Sequence, residues 1–371
     1  MQKIAWITPE YFLDVDLPVI EHLKNIYQIH LIIVLPKRTI SYEKYINKFV
    51  HDSTNVEIEY FYQNSRMRSL RNFVDYYKII SSAKRCRPDA YYISLQGIPY
   101  AILLYKLMLP LNRCVAACHN VVTPKGATNE QLARIYTYLW IHLFKNIQVF
   151  SNNQYQELLK RTQGKHVLLA PLMLKDYGEP KDVEKVPIIN FLFFGNILEY
   201  KRLDLLLTAS EILYSKGYEN FHVTIAGNCG QWDRYQPLIK HSQLFTTRIE
   251  RIPNEDVPDL FAASDFFVLP YQDIAQSGAI TVAFRYNVPV IISDIPQFDE
   301  FYEEGKTGFS FHSGSAEELA KVMASCLSMD EESYSKMKRN QLVFVNQQFS
   351  KVSIVNRYDE FLRKLCDLSL E

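Results

Sequence analysis

The sequence predicts an α/β protein made of two Rossmann-like, doubly wound domains. Short apolar runs, typical of strands buried on both faces of a parallel sheet, alternate with amphipathic helical segments along the chain. The alternation breaks at a charged stretch near the middle of the chain and then starts again. A chain of 371 residues also exceeds the length that one hydrophobic core usually organises, so two domains are expected.

The composition is that of a folded protein in a reducing compartment. Hydrophobic residues make up 48% of the chain and charged residues 22%, unlike a disordered sequence. The six cysteines form no disulfide framework in a chain of this length. The first apolar run is too short for a signal peptide, and the stretch 100–111 is broken by Lys106 and Pro110. We therefore expect a cytoplasmic protein.

Residues 1–175 form the predicted first domain. Right-handed crossovers between its parallel strands should place the carboxyl ends of the strands, and any ligand, along one edge of the sheet. Strands are predicted at Ile4–Ile7, Ile29–Leu35, Val56–Phe61, Ala90–Ser94, Cys114–Cys118, Ile147–Phe150 and His166–Leu169. Helices are predicted at Leu17–Tyr27, about 67–86, Glu130–Phe144 and Asn153–Arg161.

Residues 176–187 read as a linker, because this charged stretch contains prolines and a glycine but no apolar periodicity. The second domain, 188–348, repeats the alternation of strands and helices. The apolar stripe of the final segment, 349–371, is expected to form a helix that packs back on the first domain. Strands are predicted at Ile188–Phe194, Phe221–Ala226, Arg248–Ile252, Phe266–Leu269 and Val288–Ile292, and helices near Leu203–Tyr214, Trp232–His241 and Val257–Ala263.

The stretch Asp265–Asp294 has the pattern of a βαβ unit that could bind phosphate. A buried strand, Phe266–Leu269, is followed by a polar loop, and Ser277-Gly278 opens a helix that leads to the next strand. The free N–H groups and the positive dipole end of a helix N-terminus attract anions, and Gly278 leaves room for close approach. An ordinary crossover with a glycine at a tight turn is the alternative.

The two halves of the chain carry opposite charge. Residues 1–175 contain 22 basic and 12 acidic residues, a balance of +10, and the remainder balances this because the whole chain is neutral. A basic first half suggests an anionic partner for that half. A chance imbalance on solvated surfaces is the alternative.

Several segments together resemble family 4 glycosyltransferases of the GT-B fold. They are FLFFGNILEYKRLDLLLTA (191–209), VTIAG (223–227), IPNEDVPDLFAASDFFVLPY (252–271) and QSGAITVAFRYNVPVIISD (276–294), with a weaker echo in Ala117–Val121. The resemblance implies two domains facing each other across a cleft, a nucleotide-sugar donor in the second domain and an acceptor in the first. It also implies transfer with retention at the anomeric carbon, without a metal and without a cofactor besides the donor.

The resemblance places the donor diphosphate between two strand-end loops. Negative charge grows on this leaving group during transfer, so fixed positive charge helps most there. Lys201 matches the family's phosphate-binding lysine, and Gly195-Asn196 matches the turn beside it. The helix N-terminus would supply the other side of the diphosphate site through the residues Gln276, Ser277, Gly278 and Ala279.

Four further residues are assigned to donor binding. Arg202 stands where the family usually has glycine and could add positive charge. Arg251 and Ile252 are predicted to end a strand whose main chain reads the nucleobase. Asp273 could contact the transferred sugar. Surface exposure of the arginines and packing of the strand end are the alternatives.

His119 matches a family histidine that touches the donor sugar, so His119 and Lys201 are the predicted catalytic residues. Asn120 follows it, and both are assigned to the acceptor side together with Asp16. A satisfied loop histidine is the alternative for His119.

Two sequence patterns resemble metal sites but do not predict one. Asp14-Val15-Asp16 is a DxD pattern, yet it precedes a helix near the N-terminus, where capping explains it better. Cys114, Cys118 and His119 lie close together, but no second pair of ligands completes a tetrahedral site. A buried structural role is favoured for these three.

The sequence departs from the family pattern at the donor site. The family usually carries two glutamates eight positions apart, and the matching positions here are Ala275 and Ala283. Asn196 replaces a usual phosphate-binding arginine, and Glu10–Asp14 replaces a Gly-Gly loop that faces the acceptor. Weaker donor binding, a different donor or lost activity could follow.

A basic and apolar segment, Arg66–Phe73, precedes a second basic stretch at Lys84–Arg87. Together they suggest a surface that rests on anionic lipid at the inner face of the plasma membrane or meets a lipid-diphosphate acceptor. A solvated helix face is the alternative. Nucleic acid is not expected as a partner, because no recognition module is present.

We therefore expect a metal-independent, retaining glycosyltransferase of the hexosyltransferase type that extends a glycan, in particular a lipid-linked precursor of a surface polysaccharide. A nucleotide-sugar 2-epimerase shares the fold but needs acid and base carboxylates that the sequence does not identify. A catalytically degenerate partner subunit is the non-enzymatic alternative, motivated by the missing glutamates.

Overall fold

The computed structural model describes residues 1–36, 40–51, 53–63, 69, 71–96, 99–123, 130–181, 187–274 and 277–367. The chain divides into two units, each with its own parallel sheet and hydrophobic core. Of the described residues, the N-terminal unit contains 1–123 and 130–173 together with the C-terminal segment from Ser350. The C-terminal unit contains Leu174–Phe349, so Lys175 lies in this second unit.

The N-terminal unit is built on one parallel sheet. Its strands are β1 (Lys3–Pro9), β2 (Gln28–Leu35), β3 (Val56–Tyr62), β4 (Ala90–Ile93), β5 (Cys114–Ala117), β6 (Asn146–Val149) and β7 (His166–Leu169). They lie in the order β3-β2-β1-β4-β5-β6-β7. The order reverses direction between β1 and β4, which is the switch point of a doubly wound sheet.

Helices cover both faces of this sheet. They are α1 (Leu13–Leu23), α2 (Ile40–Val50), α3 (Arg71–Arg85), α4 (Pro99–Met108), α5 (Glu130–Leu143), α6 (Asn152–Arg161) and α12 (Lys351–Asp367). Alternate residues of each strand point to opposite faces. Trp6 and its neighbours pack against α1, α2 and α12, whereas Ile7 and its neighbours pack against α3, α4, α5 and α6.

The last helix, α12, is part of the core of the N-terminal unit. Ile354, Tyr358 and Leu362 are buried there at helical spacing. Tyr358 accepts a hydrogen bond from Gln148, and the hydroxyl of Tyr27 donates to Asp359 Oδ1 over 2.7 Å.

The C-terminal unit repeats the architecture. Its strands are β8 (Ile189–Phe194), β9 (Phe221–Ala226), β10 (Phe245–Arg248), β11 (Phe266–Leu269), β12 (Val290–Ser293) and β13 (Gly308–Phe311), in the order β10-β9-β8-β11-β12-β13. Its helices are α7 (Leu203–Ser215), α8 (Val257–Ala262), α9 (Gly278–Arg285), α10 (Ala316–Leu327) and α11 (Glu331–Gln348). The pairs are parallel, and the switch point lies between β8 and β11. The predicted α/β class is confirmed.

Two predictions for this unit are wrong. The strand predicted at 248–252 lies earlier, at Phe245–Arg248, because pairing with β9 begins at Phe245 opposite Val223. The two threonines in the middle of β10 are exposed, which hid the strand in the sequence pattern. The helix predicted at 232–241 is a series of short 3₁₀ turns, since Pro237 lacks an N–H and interrupts a longer helix.

Some helices and one strand of the structure were not predicted, and part of one predicted helix lies outside the described residues. The helices α2, α4, α10 and α11 and the strand β13 were not among the predicted elements. The predicted start of α3 and most of the basic segment Arg66–Phe73, namely 66–68 and 70, lie outside the described residues. Within the described part of the chain, no helix is both long enough and apolar enough to cross a bilayer.

Candidate active site

The two loops predicted to hold the donor leave adjacent strands of the C-terminal sheet. β8 and β11 are neighbours at the switch point, with Phe191 opposite Phe266. The loop after β8 carries Gly195 and Lys201, and the loop after β11 leads to Ser277. Carboxyl ends of strands at a switch point form the crevice where doubly wound sheets bind ligands.

The turn after β8 depends on two glycines in close contact. Gly195 has a φ of +106°, a conformation that L side chains rarely adopt. Its N–H donates to the carbonyl of Ala226 over 2.9 Å. A Cβ at Gly227 would lie 2.0 Å from the carbonyl oxygen of Gly195, so only glycine fits there.

Lys201 lies against this turn. A Cβ at Gly195 would lie 3.4 Å from Lys201 Nζ, and Nζ also stands 5.3 Å from the centre of the Tyr271 ring. Only 9% of Lys201 is exposed, and burial lowers its pKa to about 8. The side chain is therefore a largely desolvated cation at neutral pH, held beside a strand-end turn and an aromatic ring.

The N-terminus of α9 is capped and carries an extra positive charge. The hydroxyl of Ser277 accepts a hydrogen bond from the Ile280 N–H over 3.3 Å. A Cβ at Gly278 would lie only 3.0 Å from Nζ of Lys175. The sequence reasoning missed Lys175, because it sits beside an apparent linker with no local pattern.

Hydrogen bonds join the two loops. The Gln272 N–H donates to the carbonyl of Tyr200 over 2.9 Å. Arg202, in the left-handed conformation with a φ of +49°, donates to the Gln272 side chain over 3.2 Å and pairs with Asp204. The segment carrying Lys201 is therefore fixed relative to the start of the loop that leads to α9.

Arg202 itself faces a cavity of about 530 Å³ beside the loops. The cavity is also lined by Asp204, Arg234 and Tyr235, and Lys201 is not among the described residues that line it. Arg202 was assigned to the donor diphosphate, but its charge is engaged by Asp204 and Gln272.

The remaining predicted donor residues differ in their exposure and contacts. Asn196 and Arg251 are exposed, and Ile252 is buried in the turn that follows β10 rather than at a strand end. Asp273 Oδ1 accepts a hydrogen bond from Gln297 over 3.2 Å.

Ala279 lies half-buried in the first turn of α9, whereas the two residues Ala275 and Gln276 lie outside the described part of the chain.

Ala283 is fully buried in the core of the C-terminal unit. Its methyl group cannot accept a ribose hydrogen bond. A glutamate in this environment would also pay a large desolvation cost unless it were paired.

In the N-terminal unit, His119 follows β5 and is packed among aromatic rings. The centres of the Phe12 and Tyr11 rings lie 3.6 Å and 5.9 Å from the centre of its imidazole. Its Nε2 is buried and has no hydrogen-bond partner among the described residues. Burial lowers its pKa to about 3, so the imidazole is neutral. Asn120, next to it, is half-buried.

Asp16 lies in the core at the switch point of the N-terminal sheet. Its side chain is fully buried, and Oδ2 accepts a hydrogen bond from Ser94 over 2.6 Å. Burial raises its pKa to about 7. The assignment of Asp16 to the acceptor surface is therefore revised, because a buried carboxyl positions its neighbours rather than meeting an acceptor.

The whole chain is similar in fold to solved glycosyltransferase structures. HepE from Anabaena, solved with UDP and glucose, matches with a TM-score of 0.72 at 14% identity, covering 98% of this chain and 100% of that chain. A glycosyltransferase from Rickettsia africae matches with a TM-score of 0.73 at 17% identity, covering 98% of each chain. Sucrose-phosphate synthase from Thermosynechococcus elongatus matches with a TM-score of 0.75 at 14% identity, over 98% of this chain and 99% of that chain. The predicted GT-B fold is confirmed.

A family match covers most of the C-terminal unit. Residues 180–342 match the family model described as glycosyl transferases group 1. This span includes Lys201, β11 and α9, which carried the resemblance in the sequence. No curated protein matches the chain.

Proposed function

We propose that this chain, in which residues 180–342 match glycosyl transferases group 1 within a GT-B fold, moves a sugar from a nucleotide-sugar donor to a glycan acceptor. One observation carries the proposal. The glycine turn with Lys201 and the loop leading to the N-terminus of α9 leave neighbouring strands at the switch point of the C-terminal sheet. The binding of UDP by HepE, a protein of the same fold, supports a nucleotide-sugar as the donor.

The leaving diphosphate explains why these groups are needed. As the bond between sugar and phosphate breaks, negative charge accumulates on the diphosphate, and preorganised positive charge stabilises it. Lys201 supplies charge from one side, and the α9 amides with Lys175 supply it from the other. We propose that these charges act in place of a metal and that a hexosyl group is transferred with retention of configuration.

The N-terminal unit is the proposed acceptor side. Neutral His119 can donate or accept a hydrogen bond to a sugar hydroxyl, and its buried Nε2 lacks a partner among the described residues. Asn120 adds a second polar group. We propose a lipid-linked intermediate of surface polysaccharide synthesis as the acceptor, and a cytoplasmic enzyme that touches the membrane from its inner face. The net basic character of residues 1–175 supports an anionic acceptor.

A catalytically inactive partner subunit is the second candidate. It is favoured by Ala283, which removes the usual ribose-binding carboxylate and is buried in the core. Such a subunit would keep the fold and could keep nucleotide affinity, but it would not turn over a donor.

Release of free nucleotide from a panel of nucleotide sugars, with and without glycan acceptors, tests the proposal. We expect acceptor-dependent release with one donor, its loss in Lys201→Ala, and unchanged release in Lys216→Ala, which removes an exposed lysine of the same unit. An epimerised nucleotide sugar, formed without a new glycosidic product, would favour an epimerase. Binding without turnover across the panel would favour the partner subunit.

A further inference from the structure

Three helices of the N-terminal unit form one continuous layer on the sheet. α3 packs beside α4, and α4 packs beside α5. Tyr76, Tyr105 and Trp140, one from each helix, are buried in the same core cluster against the strands. The outward sides of the three helices therefore make up one surface, which we call the α3–α5 face.

This face exposes an unusual number of large apolar side chains. Leu107 is 71% exposed, Tyr138 60% and Leu103 51%. Eight of the fifteen exposed large hydrophobic residues in the described part of the chain lie on these three helices, so the apolar exposure is concentrated rather than scattered. The other five are Phe73, Val74, Tyr77, Leu132 and Ile135.

Exposed cationic side chains lie on the same three helices as these apolar residues. Acidic residues on the same helices are few: Asp75 on α3 is half-buried, and Glu130 pairs with Arg134 on α5. The exposed basic residues on the three helices are Arg71, Lys78, Lys84, Arg85, Lys106 and Arg134. A face that mixes aromatic and aliphatic groups with a clear excess of cations fits an anionic lipid surface.

The face continues into an amphipathic cavity. Arg134 and Tyr138 of α5 line a cavity of about 450 Å³, which is also lined by Val121, Ile141 and Arg161. Its two guanidinium groups pair with Glu130 and Glu157, and the apolar lining beside them suits the acyl part of a lipid with an acidic headgroup. Val121, which lines this cavity, lies two residues after His119.

We propose that the α3–α5 face docks this protein on an anionic membrane surface, with apolar side chains entering the headgroup region and basic side chains meeting acidic lipids. The inference extends the expectation drawn for α3 from the sequence to two further helices. It rests on the proposed function only for the idea that the acceptor is lipid-linked. A protein partner of ordinary composition would not require so many cations around the apolar centre.

Vesicle flotation tests this face. The probes are vesicles of phosphatidylcholine alone and of phosphatidylcholine mixed with phosphatidylglycerol. The full chain should float with the mixed vesicles and remain behind with the neutral ones. Leu103→Gln with Leu107→Gln removes two apolar contacts, and Lys78→Glu with Lys84→Glu reverses two charges. Each pair should lower partition at least about tenfold.

A matched control is Leu342→Gln with Val343→Gln, two exposed apolar residues on α11 of the other unit. It should float like the wild type, and all variants should keep the wild-type Tm and the wild-type rate of nucleotide release with a water-soluble acceptor. The proposal is overturned if the wild type ignores both vesicles or binds both equally, or if the face variants float like the control. A dimer that the face variants abolish, without flotation, would assign the face to a second copy of this chain.

Discussion

Lys201 makes the proposed activity depend on pH. Burial lowers its pKa to about 8, so the free enzyme loses this positive charge as the pH rises through that value. We predict that kcat/KM for the donor falls above about pH 8, while kcat holds to higher pH, because a bound diphosphate favours the charged lysine.

The variant Lys201→Ala should lower kcat/KM by roughly 100-fold or more and remove this alkaline limb. Lys216→Ala should keep both the activity and the limb. An alkaline limb that persists in Lys201→Ala would assign the titration to another group.

Lys175 compensates in our account for the arginine that Asn196 replaces. Its Nζ lies against the first residue of α9. There its positive charge would add to that of the helix dipole in attracting a phosphate. We predict that Lys175→Ala weakens binding of UDP or another nucleoside diphosphate by about tenfold, measured by titration calorimetry. Asn196→Arg in the Lys175→Ala background should restore part of the loss. Equal affinity in wild type and Lys175→Ala would remove this residue from the site.

Asp16 should make the stability of the folded chain depend on pH. Its folded pKa of about 7 lies above the unfolded value of about 3.9, so the folded state binds the proton more tightly. The resulting stabilisation is complete below about pH 4 and is lost as the pH rises through about 7, up to roughly 4 kcal/mol. We predict that Asp16→Asn removes this dependence in urea unfolding. Parallel pH profiles for both proteins would contradict the buried, protonated carboxyl.

At the residue scale, residues that belong to local motifs could be identified from the sequence. Residues that come into contact only in the folded chain could not. Lys201 was found because the segment 191–209 resembles the family and Lys201 matches its phosphate-binding lysine. Lys175 was missed because the chain between it and Gly278 spans most of a domain. Asp16 was assigned to the acceptor side as part of the Asp14-Val15-Asp16 pattern, and the sequence did not show that it is buried beside Ser94, which follows the distant strand β4.

At the scale of elements, the proposed donor site depends on how closely the ends of β8 and β9 approach each other. A Cβ at Gly227 would collide with the Gly195 backbone, whereas Gly230 has open space around its Cβ position. We predict that Gly227→Ala costs about 1–3 kcal/mol of unfolding free energy and weakens nucleotide binding by displacing the turn.

Gly230→Ala is the matched control and should leave both quantities within experimental error of the wild type. Nucleotide affinity and unfolding free energy are measured on the same preparations. A Gly227→Ala protein with wild-type affinity would mean that the turn does not shape the site.

Strands with continuous apolar runs could be predicted from the sequence. A strand whose bounds depend on pairing with its neighbour, and a helical pattern interrupted by one proline, could not. β8 and β11 are buried on both faces, so their sequences alone indicate strands. β10 lies at the edge of its sheet and exposes its central threonines, so its apolar signal is weak. The segment 232–241 has helical spacing, but Pro237 decides its conformation.

At the scale of the whole molecule, the division of charge matches the roles that we propose for the two units. The first 175 residues carry the excess of basic residues, and the N-terminal unit presents the α3–α5 face and His119. The proposed donor site in the C-terminal unit has few charged side chains, and the backbone at Gly195 and at the start of α9 positions them. Composition therefore indicated an anionic partner for one half but could not locate the surface, because the three helices are brought together only by the sheet.

The proposed donor site requires a diphosphate between Lys201 and the N-terminus of α9. A crystal structure of the protein with a nucleoside diphosphate tests it most directly. We predict that phosphate oxygens lie within hydrogen-bond distance of Lys201 Nζ and of the main-chain N–H groups beside Ser277. Phosphates bound instead in the cavity beside Arg202 and Arg234, with Lys201 still against Tyr271, would contradict it.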